Sequence, residues 1–522
     1  MRRTAVIVLL LLGAIRIAST YTTFSETADE PMHLSAGLEV LTRATYTLQL
    51  QNPPLPRLFI ALPPYLAGAR WDGHGDWWKE AITKFHALGR YKTMLVLARI
   101  GTLVFFVIAA LALYAWARRE TDDTTALVAL LLFTTQPSIL GHSGLATLDV
   151  AGVAGMAVSL LAFSRWLERP TLARAAMLGV AWGMAINLKL LSIAYVPIAC
   201  AAIYAVRLFR THSSTWRSVA TIAIVPFTAI VLIWAGYGFS TAPAKALAPV
   251  QRAYADTMAG RFLASLDEDT PLPAPAFIRG IAEMIEVNRN GFPSYALMKW
   301  SDDGWWWYFP FALGLKTTIA TLLFFIAGFW FARRNGVFFE AAAAACAILG
   351  LSMTTHVNIG IRYILPIYVP LSLAAAIAAV AMLRKAVPRL RNIAIALLAW
   401  HLLASFLAHP DYLAYFNEAA VRDPSYYLID SNLDWGQDIL RLRDEVRRLK
   451  IPSLGVGLFG PADLDKLGFP PTFWVNPSIP TSGWIAISDH SYRWMRPNGG
   501  WRWLKRDECR RIGKTIRLCH MQ

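Results

Sequence analysis

The chain has 522 residues, of which 56% are hydrophobic and 16% charged, with a mean hydropathy of +0.41. Soluble domains carry about 45–50% apolar and about 25% charged residues, so this composition excludes an ordinary soluble protein and indicates a membrane protein. The net charge of +16 is typical of cationic loops beside anionic lipid. Nucleic-acid binding is not predicted, because we find no separate basic domain with a recognition motif.

Apolar segments recur along the chain, and a membrane-spanning helix needs about 20 mostly apolar residues. We count about eleven such segments, which predicts an all-α polytopic membrane protein. The first is interpreted as a retained anchor rather than a signal peptide, because no small-x-small cleavage site follows it. The predicted spans are 4–20, 93–115, 124–140, 145–164, 174–188, 190–207, 218–237, 309–331, 337–354, 362–383 and 392–408.

The basic residues indicate which side of the membrane each loop occupies. If Arg2 and Arg3 lie inside, every inner loop carries arginines, whereas the short outer connections carry little beyond Lys189 and Arg362. This orientation holds along the whole chain, which supports the number of spans. The long segments then predicted to lie outside are 21–92, 238–308 and 409–522.

The last of these segments has a composition of its own. An amphipathic helix up to Leu449 is followed by short strand-like runs, which predicts a small C-terminal α/β extracytoplasmic domain over residues 409–522 after a transmembrane domain over 1–408. A disulfide between Cys509 and Cys519 is chemically permitted outside the cell, but spacing alone leaves it open. The strand-like runs are Leu454–Phe459, Trp484–Ser488 and Thr515–Cys519.

Two adjacent carboxylates, Asp29 and Glu30, directly follow the first span. Carboxylates at the mouth of a membrane helix are costly, which favours a function such as a general base acting on an acceptor hydroxyl or amine. They could equally cap the helix that Pro31 begins, and both interpretations stay open. Asp149 ends another outer hairpin and is either part of a plain solvated turn or a third carboxylate on the same face.

Cations gather at the same predicted depth. Lys189 and Arg362 lie at outer helix ends, and Arg99 lies in the outer half of the second span, with Arg16 held in reserve. A guanidinium or ammonium at headgroup depth can bind a lipid phosphate. Each side chain could instead extend to the interface without a ligand.

No convincing set of metal ligands is found. The segment Asp430–Asp438 resembles the start of a calcium loop, but Gly436 comes one place late and Arg441 stands where the bidentate glutamate should be. No cofactor is predicted, and a dependence on a divalent metal stays open.

Several motifs together resemble a known family. They are Asp29-Glu30-x-x-His33, Asn52-Pro53-Pro54-Leu55, Thr147-x-Asp149, Lys189, Asn358 to Pro366, Tyr412 to Glu418 and Asp430 to Asp438. From about residue 24 to 450 the chain resembles the GT-C glycosyltransferases, in particular a bacterial branch related to protein O-mannosyltransferases and lipid A aminoarabinose transferases. The chain departs from the pattern at Asn52, where such proteins often have His, so Asn52 is given no role.

The resemblance implies an inverting transfer of a hexose or pentose from a polyprenyl-phosphate-linked donor. It implies that Asp29 is the catalytic base, that Glu30 assists it or contacts the acceptor, and that Asp149 is the second acidic position. The donor phosphate would be bound by Lys189, Arg362 and Arg99, and the candidate substrate contacts are His33, Asn358, Tyr363 and Asp434.

The expected location is the bacterial inner membrane, among membrane lipids, with the active site and the C-terminal domain facing the periplasm. The acceptor is left open between a protein, a lipid and a glycan. Two alternatives remain: a transporter or flippase of lipid-linked sugars, and an inactive scaffold that binds polyprenyl phosphate. A transporter predicts internal repeats and charges near the bilayer midplane, whereas here we find no clear repeat and the charges gather at one face.

Overall fold

The computed structural model describes residues 2–73, 76–211, 221–505 and 509–521, and most of them are helical. The α-helices are Arg2–Ala18, Glu30–Arg43, Pro54–Leu66, Trp77–Thr83, Tyr91–Glu120, Asp123–Thr134, Pro137–Ser143, Asp149–Glu168, Leu172–Leu188, Ser192–Thr211, Ile224–Gly236, Ala248–Ala253, Met258–Ala264, Pro275–Asn290, Tyr308–Lys316, Ile319–Phe331, Gly336–Ser352, Tyr368–Leu383, Pro388–Leu407, Ile439–Arg448 and Asp489–Met495. The short outer strands are Thr241–Pro243, Pro271–Pro273, Ser294–Ala296 and Lys299–Ser301.

Many of the helices are apolar enough for a membrane. In the part of the chain that is described, five are long and apolar enough to cross a bilayer, and seven if each of two bent helix pairs counts as one span. The five are Tyr91–Glu120, Asp149–Glu168, Ser192–Arg210, Ile361–Leu383 and Pro388–Leu407. The protein is therefore a multi-pass membrane protein.

The two bent pairs fall on predicted spans. Asp123–Thr134 and Pro137–Ser143 meet at 60°, and Tyr308–Lys316 and Ile319–Phe331 meet at 112°. Pro137 explains the first bend, because proline fits the first turn of a helix but has no backbone N–H to continue the one before it. Every other predicted span overlaps a single helix, although residues 218–220 lie outside the described ranges. The number of membrane crossings stays a prediction.

Small residues let the helix Asp149–Glu168 approach its neighbour closely. An added Cβ at Gly155 would lie 2.7 Å from Ala185 Cα, so only glycine permits this contact between Asp149–Glu168 and the next helix. Close packing at small residues is a main source of cohesion between membrane helices. One turn earlier, a Cβ at Gly152 would lie 2.9 Å from Lys189 Cδ, so glycine also leaves room for this lysine beside the start of the helix.

The chain returns to the N-terminal segment after its last apolar helix. The backbone N–H of Ser25 donates to the carbonyl of Gln437 at 3.0 Å, and that of Ala28 donates to the carbonyl of Trp435 at 3.1 Å. The segment 409–438 is therefore packed against the residues that precede Asp29, and it connects the helical bundle to the C-terminal part of the chain.

The C-terminal residues form a five-stranded sheet. In spatial order its strands are Thr472–Trp474, Leu454–Gly457, Gly483–Ser488, Ile516–Met521 and Arg510–Ile512. The first three strands pair in parallel and the last three antiparallel. The strand-like runs in the sequence became the three central strands, and both edge strands escaped the pattern because each has only three residues. Cys509 and Cys519, left open by the sequence, are joined by a disulfide. The division of the chain at residue 408 stays a prediction.

Candidate active site

Two carboxylates and two cations meet where several apolar helices end. Arg362 Nη1 lies 2.5 Å from Asp29 Oδ2, and Lys189 Nζ is paired with Asp149 Oδ1. The ring of Tyr363 lies between the two cations, 5.2 Å from Arg362 Cζ and 5.7 Å from Lys189 Nζ. We call Asp29, Asp149, Lys189 and Arg362 the charge cluster. The structure thus brings together four predicted site residues, with the predicted contact Tyr363 between them.

Asp149 is held at the first position of its helix. Its carboxylate accepts a hydrogen bond from Thr147 Oγ1 at 3.0 Å, and His142 Nδ1 lies 3.8 Å away. A helix N-terminus favours a negative charge. Lys189 reaches the same carboxylate because the helix Leu172–Leu188 ends in front of it and the backbone turns extended. The side chain of Asp149 is only 3% exposed, so its charge depends on these partners.

Asp29 does not cap the helix that follows it, which was one of the two interpretations left open by the sequence. It precedes the helix Glu30–Arg43, yet within the described chain its carboxylate makes no capping hydrogen bond. It turns instead to Arg362 and remains 20% exposed. Of the two interpretations, the geometry therefore favours a side chain available to a ligand.

Glu30, its neighbour, points the other way. The side chains of Glu30 and Arg99 are both fully buried and form two hydrogen bonds of 2.8 Å. Glu30 Oε1 also accepts from the backbone N–H of Ala146 at 2.8 Å, while Arg99 donates to the carbonyls of Tyr21 and Ser25. The pair therefore connects three parts of the chain. Neither residue lines the charge cluster, in contrast to the roles that the motifs suggested.

His33 lies on the same helix and is buried next to the cluster. Arg57 Nε donates to His33 Nδ1 at 3.3 Å, so a neutral ring carries its proton on Nε2. Burial, followed by the positive charge of Arg57, keeps the pKa of His33 well below its ordinary value. Arg57 is itself buried and also donates to the carbonyl of Leu48 at 2.9 Å. Arg57, to which the sequence analysis assigned no role, lies two residues after the motif Asn52-Pro53-Pro54-Leu55.

Asp430 is the residue that sequence reasoning missed. It opens the motif that was compared with a calcium loop, and its φ of +57° is uncommon for a residue other than glycine. Burial raises the pKa of Asp430 to about 6, against the lowering effect of Arg362, and Asp29 acts on it as well. A third carboxylate thus lies close enough to the charge cluster to interact with it electrostatically.

Asp434 and Asn358, both named as substrate contacts, are engaged with the backbone. Asp434 is buried and accepts from the backbone N–H of His490 at 2.7 Å, and burial raises its pKa to about 8. Asn358 Oδ1 accepts from the N–H of Trp305 at 2.6 Å. Asp434 therefore fixes the C-terminal part of the chain, and Asn358 fixes a loop beside the cluster.

The described ranges contain no group of three or more His, Cys, Asp or Glu side chains arranged to hold a metal ion. At the charge cluster, each carboxylate faces an arginine or a lysine instead. The four charges of the cluster balance formally, and of its two carboxylates Asp29 is the more exposed.

Comparison with known proteins supports the resemblance that the motifs indicated. The family model for dolichyl-phosphate-mannose-protein mannosyltransferases matches residues 82–234, a segment that includes Arg99, Asp149 and Lys189. A search of curated proteins finds no significant match.

Among solved structures, the chain is similar to ArnT from Cupriavidus metallidurans bound to undecaprenyl phosphate. The TM-score is 0.51 at 14% identity, over 98% of this chain and 97% of the other. The apo state of the same protein matches with a TM-score of 0.48 at 13% identity, over 98% and 97% of the two chains. The apo oligosaccharyltransferase of Archaeoglobus fulgidus gives 0.44 at 15% identity, over 85% of this chain and 58% of the other. The first comparison shows a shared fold, and with the family model it confirms the resemblance to GT-C, mannosyltransferase-like proteins.

Proposed function

We propose that this chain, which shares the fold of ArnT and matches the mannosyltransferase family model, is a membrane glycosyltransferase. It would move a hexose or pentose from a polyprenyl-phosphate-linked donor to an acceptor. The observation that carries the proposal is the charge cluster, in which two carboxylate–cation pairs share one site around Tyr363. The bound undecaprenyl phosphate in the ArnT structure supports a lipid carrier of this type.

Lys189 and Arg362 are the proposed ligands of the donor phosphate. Among the described residues, the buried Nε of Arg362 has no hydrogen-bond partner, so the guanidinium keeps a donor for a ligand. Preorganised cations stabilise the negative charge that develops on a departing phosphate. A general acid is then unnecessary at the leaving group.

Asp29 is the proposed general base. The acceptor hydroxyl gives its proton to Asp29, and its oxygen forms a bond to the anomeric carbon on the face opposite the phosphate. The bond from that carbon to the phosphate oxygen breaks, and its electron pair leaves with the polyprenyl phosphate. The product glycoside has an inverted anomeric centre. When the phosphate binds, Arg362 divides its donors between the phosphate and Asp29, which makes the carboxylate a better base.

Glu30 and Arg99 are proposed as positioning residues, in place of the acceptor and phosphate contacts implied by the resemblance. Glu30 directly follows Asp29 in the chain, and its contact with the N–H of Ala146 lies just before Asp149. Their buried ion pair therefore fixes the backbone beside both carboxylates of the cluster.

We further propose that the predicted topology is correct, with about eleven spans and the arginine-rich loops inside. The charge cluster and residues 409–522 then lie on the outer side, which for a bacterial inner membrane is the periplasm. The disulfide Cys509–Cys519 supports this orientation, since disulfides persist in oxidising compartments.

The test is a transfer assay in proteoliposomes, with a panel of radiolabelled undecaprenyl-phosphate sugars and an envelope extract as the acceptor source. Asp29→Asn removes the base but keeps the shape of the side chain, so we expect transfer to fall by about 10²–10⁴-fold. Asp269→Asn is the matched control, because Asp269 is 78% exposed and pairs with Lys245 at the surface.

Label that moves to an acceptor with the wild type and the control, but not with Asp29→Asn, would support both the enzyme class and the base. Full turnover by Asp29→Asn would remove the base assignment. Well-folded wild type that binds or flips every donor without consuming any would favour the transporter or scaffold alternatives.

A further inference from the structure

A cavity of about 370 Å³ lies beside the charge cluster, between the outer loops and the C-terminal sheet. Half of the residues that line it have flat aromatic rings, among them Trp300, Phe459, His490 and Trp494. Its volume is within the range of about 300–1,000 Å³ that is typical of small-molecule sites.

Three of the rings form a column. Phe459 stacks on His490 with centroids 3.7 Å apart and planes 15° apart, and His490 stacks on Trp494 at 5.6 Å and 13°. Trp300 then meets Trp494 edge-on at 4.3 Å. Burial lowers the pKa of His490 to about 3, so this ring is neutral at neutral pH and offers one donor and one acceptor.

Asp430 supplies the carboxylate of the cavity and connects it to the charge cluster. Its Oδ2 lies 3.8 Å from His490 Nε2, while Arg362 and Asp29 both act on its charge. The carboxylate is 20% exposed, and its Oδ1 accepts from the N–H of Ser431 at 2.5 Å. Its backbone has a φ of +57°, in the left-handed region.

The combination of groups indicates the chemistry of the ligand. Flat apolar rings suit a ligand with an apolar face, whereas Asp430 requires hydroxyl or amine donors, because a buried carboxylate without partners is costly. A purely apolar chain offers no further donor to that carboxylate, and an anionic ligand is repelled by it. A pyranose ring satisfies both requirements, since it has C–H faces that stack on aromatic rings and hydroxyls around its edge.

We propose that this cavity binds a sugar ring of the acceptor, so that the acceptor is a saccharide. The inference rests on the proposed function, and it places one hydroxyl near Asp430 and directs it toward Asp29. Asp430 is then an acceptor-binding residue, and the aromatic column selects the acceptor. The saccharide can be free or the head of a glycolipid, because the same ring chemistry is present in both.

Two measurements test the proposal on the full-length protein in detergent and in proteoliposomes. The first is saturation-transfer difference NMR with methyl glycosides of glucose, galactose, mannose and N-acetylglucosamine, and with a Ser/Thr-rich peptide. The second is transfer kinetics with the same probes and with a glycolipid in the liposomes. Hydrolysis of the donor by water is followed separately, because it needs the charge cluster but not the cavity.

The test variants are Trp494→Ala and Asp430→Asn. Removal of one aromatic contact typically weakens binding by up to about tenfold, so we expect Trp494→Ala to raise the acceptor KM by up to about tenfold. The matched control is Trp306→Ala, because Trp306 is 67% exposed in the same outer region and does not line the cavity.

Glycoside signals that disappear in Trp494→Ala but persist in Trp306→Ala would support the proposal, whether the free glycoside or the glycolipid is the better acceptor. Binding or transfer to the peptide alone, an unchanged acceptor KM in both cavity variants, or no glycoside signal with the wild type would overturn it. If donor hydrolysis is absent while glycosides bind in the cavity, the proposed function fails but the sugar site stands.

Discussion

Lys189 and Arg362 differ from Arg99 in how far their cationic groups are available to a ligand. Each pairs with one carboxylate of the charge cluster and lies over the ring of Tyr363, with a small exposed fraction of 14% and 11%. Arg99, by contrast, is fully buried, and its donors are used by Glu30 and by backbone carbonyls. The proposed phosphate site therefore needs only Lys189 and Arg362, because Arg99 could bind a ligand only if its buried pair were displaced.

At this scale we predict that Lys189→Gln raises the donor KM and lowers kcat by about 10²–10³-fold, since the departing phosphate loses a preorganised cation. Lys189→Arg should retain part of the activity. Transfer kinetics with varied donor concentration measure both constants.

Lys245→Gln is the control for this change, because Lys245 makes an exposed pair with Asp269. Thermal unfolding is recorded alongside, because the substitution leaves the buried Asp149 without its partner. Wild-type donor kinetics in Lys189→Gln would remove Lys189 from the phosphate site.

Among the elements, the buried pair of Glu30 and Arg99 joins parts of the chain that are far apart in sequence. It joins the start of the helix Glu30–Arg43 to the long helix Tyr91–Glu120, and the N–H of Ala146 adds the turn before Asp149. Removing one partner of a buried pair is costly, because the other charge stays buried without compensation. The relative position of Asp29 and Asp149 therefore depends on a contact that neither of them makes.

We expect Arg99→Met to destabilise the protein by about 3–5 kcal/mol, because it leaves Glu30 charged and unpaired. The double variant Glu30→Gln/Arg99→Met should recover part of that loss. Thermal denaturation in detergent, followed by loss of monodisperse protein, reports the changes.

The matched exposed pair is Arg384 with Asp122, whose side chains are 57% and 42% exposed. Arg384→Met should cost no more than about 1 kcal/mol, as is usual for surface ion pairs. If Arg99→Met proved as stable as Arg384→Met, the positioning role of the buried pair would be wrong.

The orientation of the protein in the membrane determines on which side the charge cluster lies. The charge cluster and the C-terminal sheet are connected through the segment 430–438, so they lie on the same side of the membrane. The cationic loops lie at the opposite ends of the helices, and the positive-inside rule predicts that those ends face the cytoplasm. A donor loaded from the outer leaflet would then meet the cluster.

Cysteine accessibility tests this orientation. In a background without Cys200 and Cys346, Asp256→Cys should react with a membrane-impermeant maleimide in intact cells, because it is exposed in the outer segment 238–308. Lys385→Cys, exposed in a predicted inner loop, should react only after permeabilisation. Each variant serves as the control for the other, and the reverse pattern would put the cluster on the cytoplasmic side.

The apolar segments, the basic loops and all four residues of the charge cluster could be predicted from the sequence alone. These are local properties: a run of apolar residues has no alternative to burial, and motifs such as Asp29-Glu30 or Asn358 to Pro366 can be read in one stretch. The central strands of the C-terminal sheet were also predicted, because their apolar residues are contiguous.

How these residues pair depends on the three-dimensional fold. Arg362 and Asp29 are separated by 333 residues and Arg99 and Glu30 by 69, so no local pattern can assign either partner. Successive residues at a helix start point about 100° apart, which is why Asp29 faces the cluster and Glu30 faces the protein interior. Asp430 lies near the cluster, whereas Asp434 follows the short helical turn Asp430–Asn432 and accepts from the backbone N–H of His490. The residue types can be read from short stretches of sequence. Side-chain direction and long-range contacts then separate the residues of the charge cluster from those that support the backbone around it.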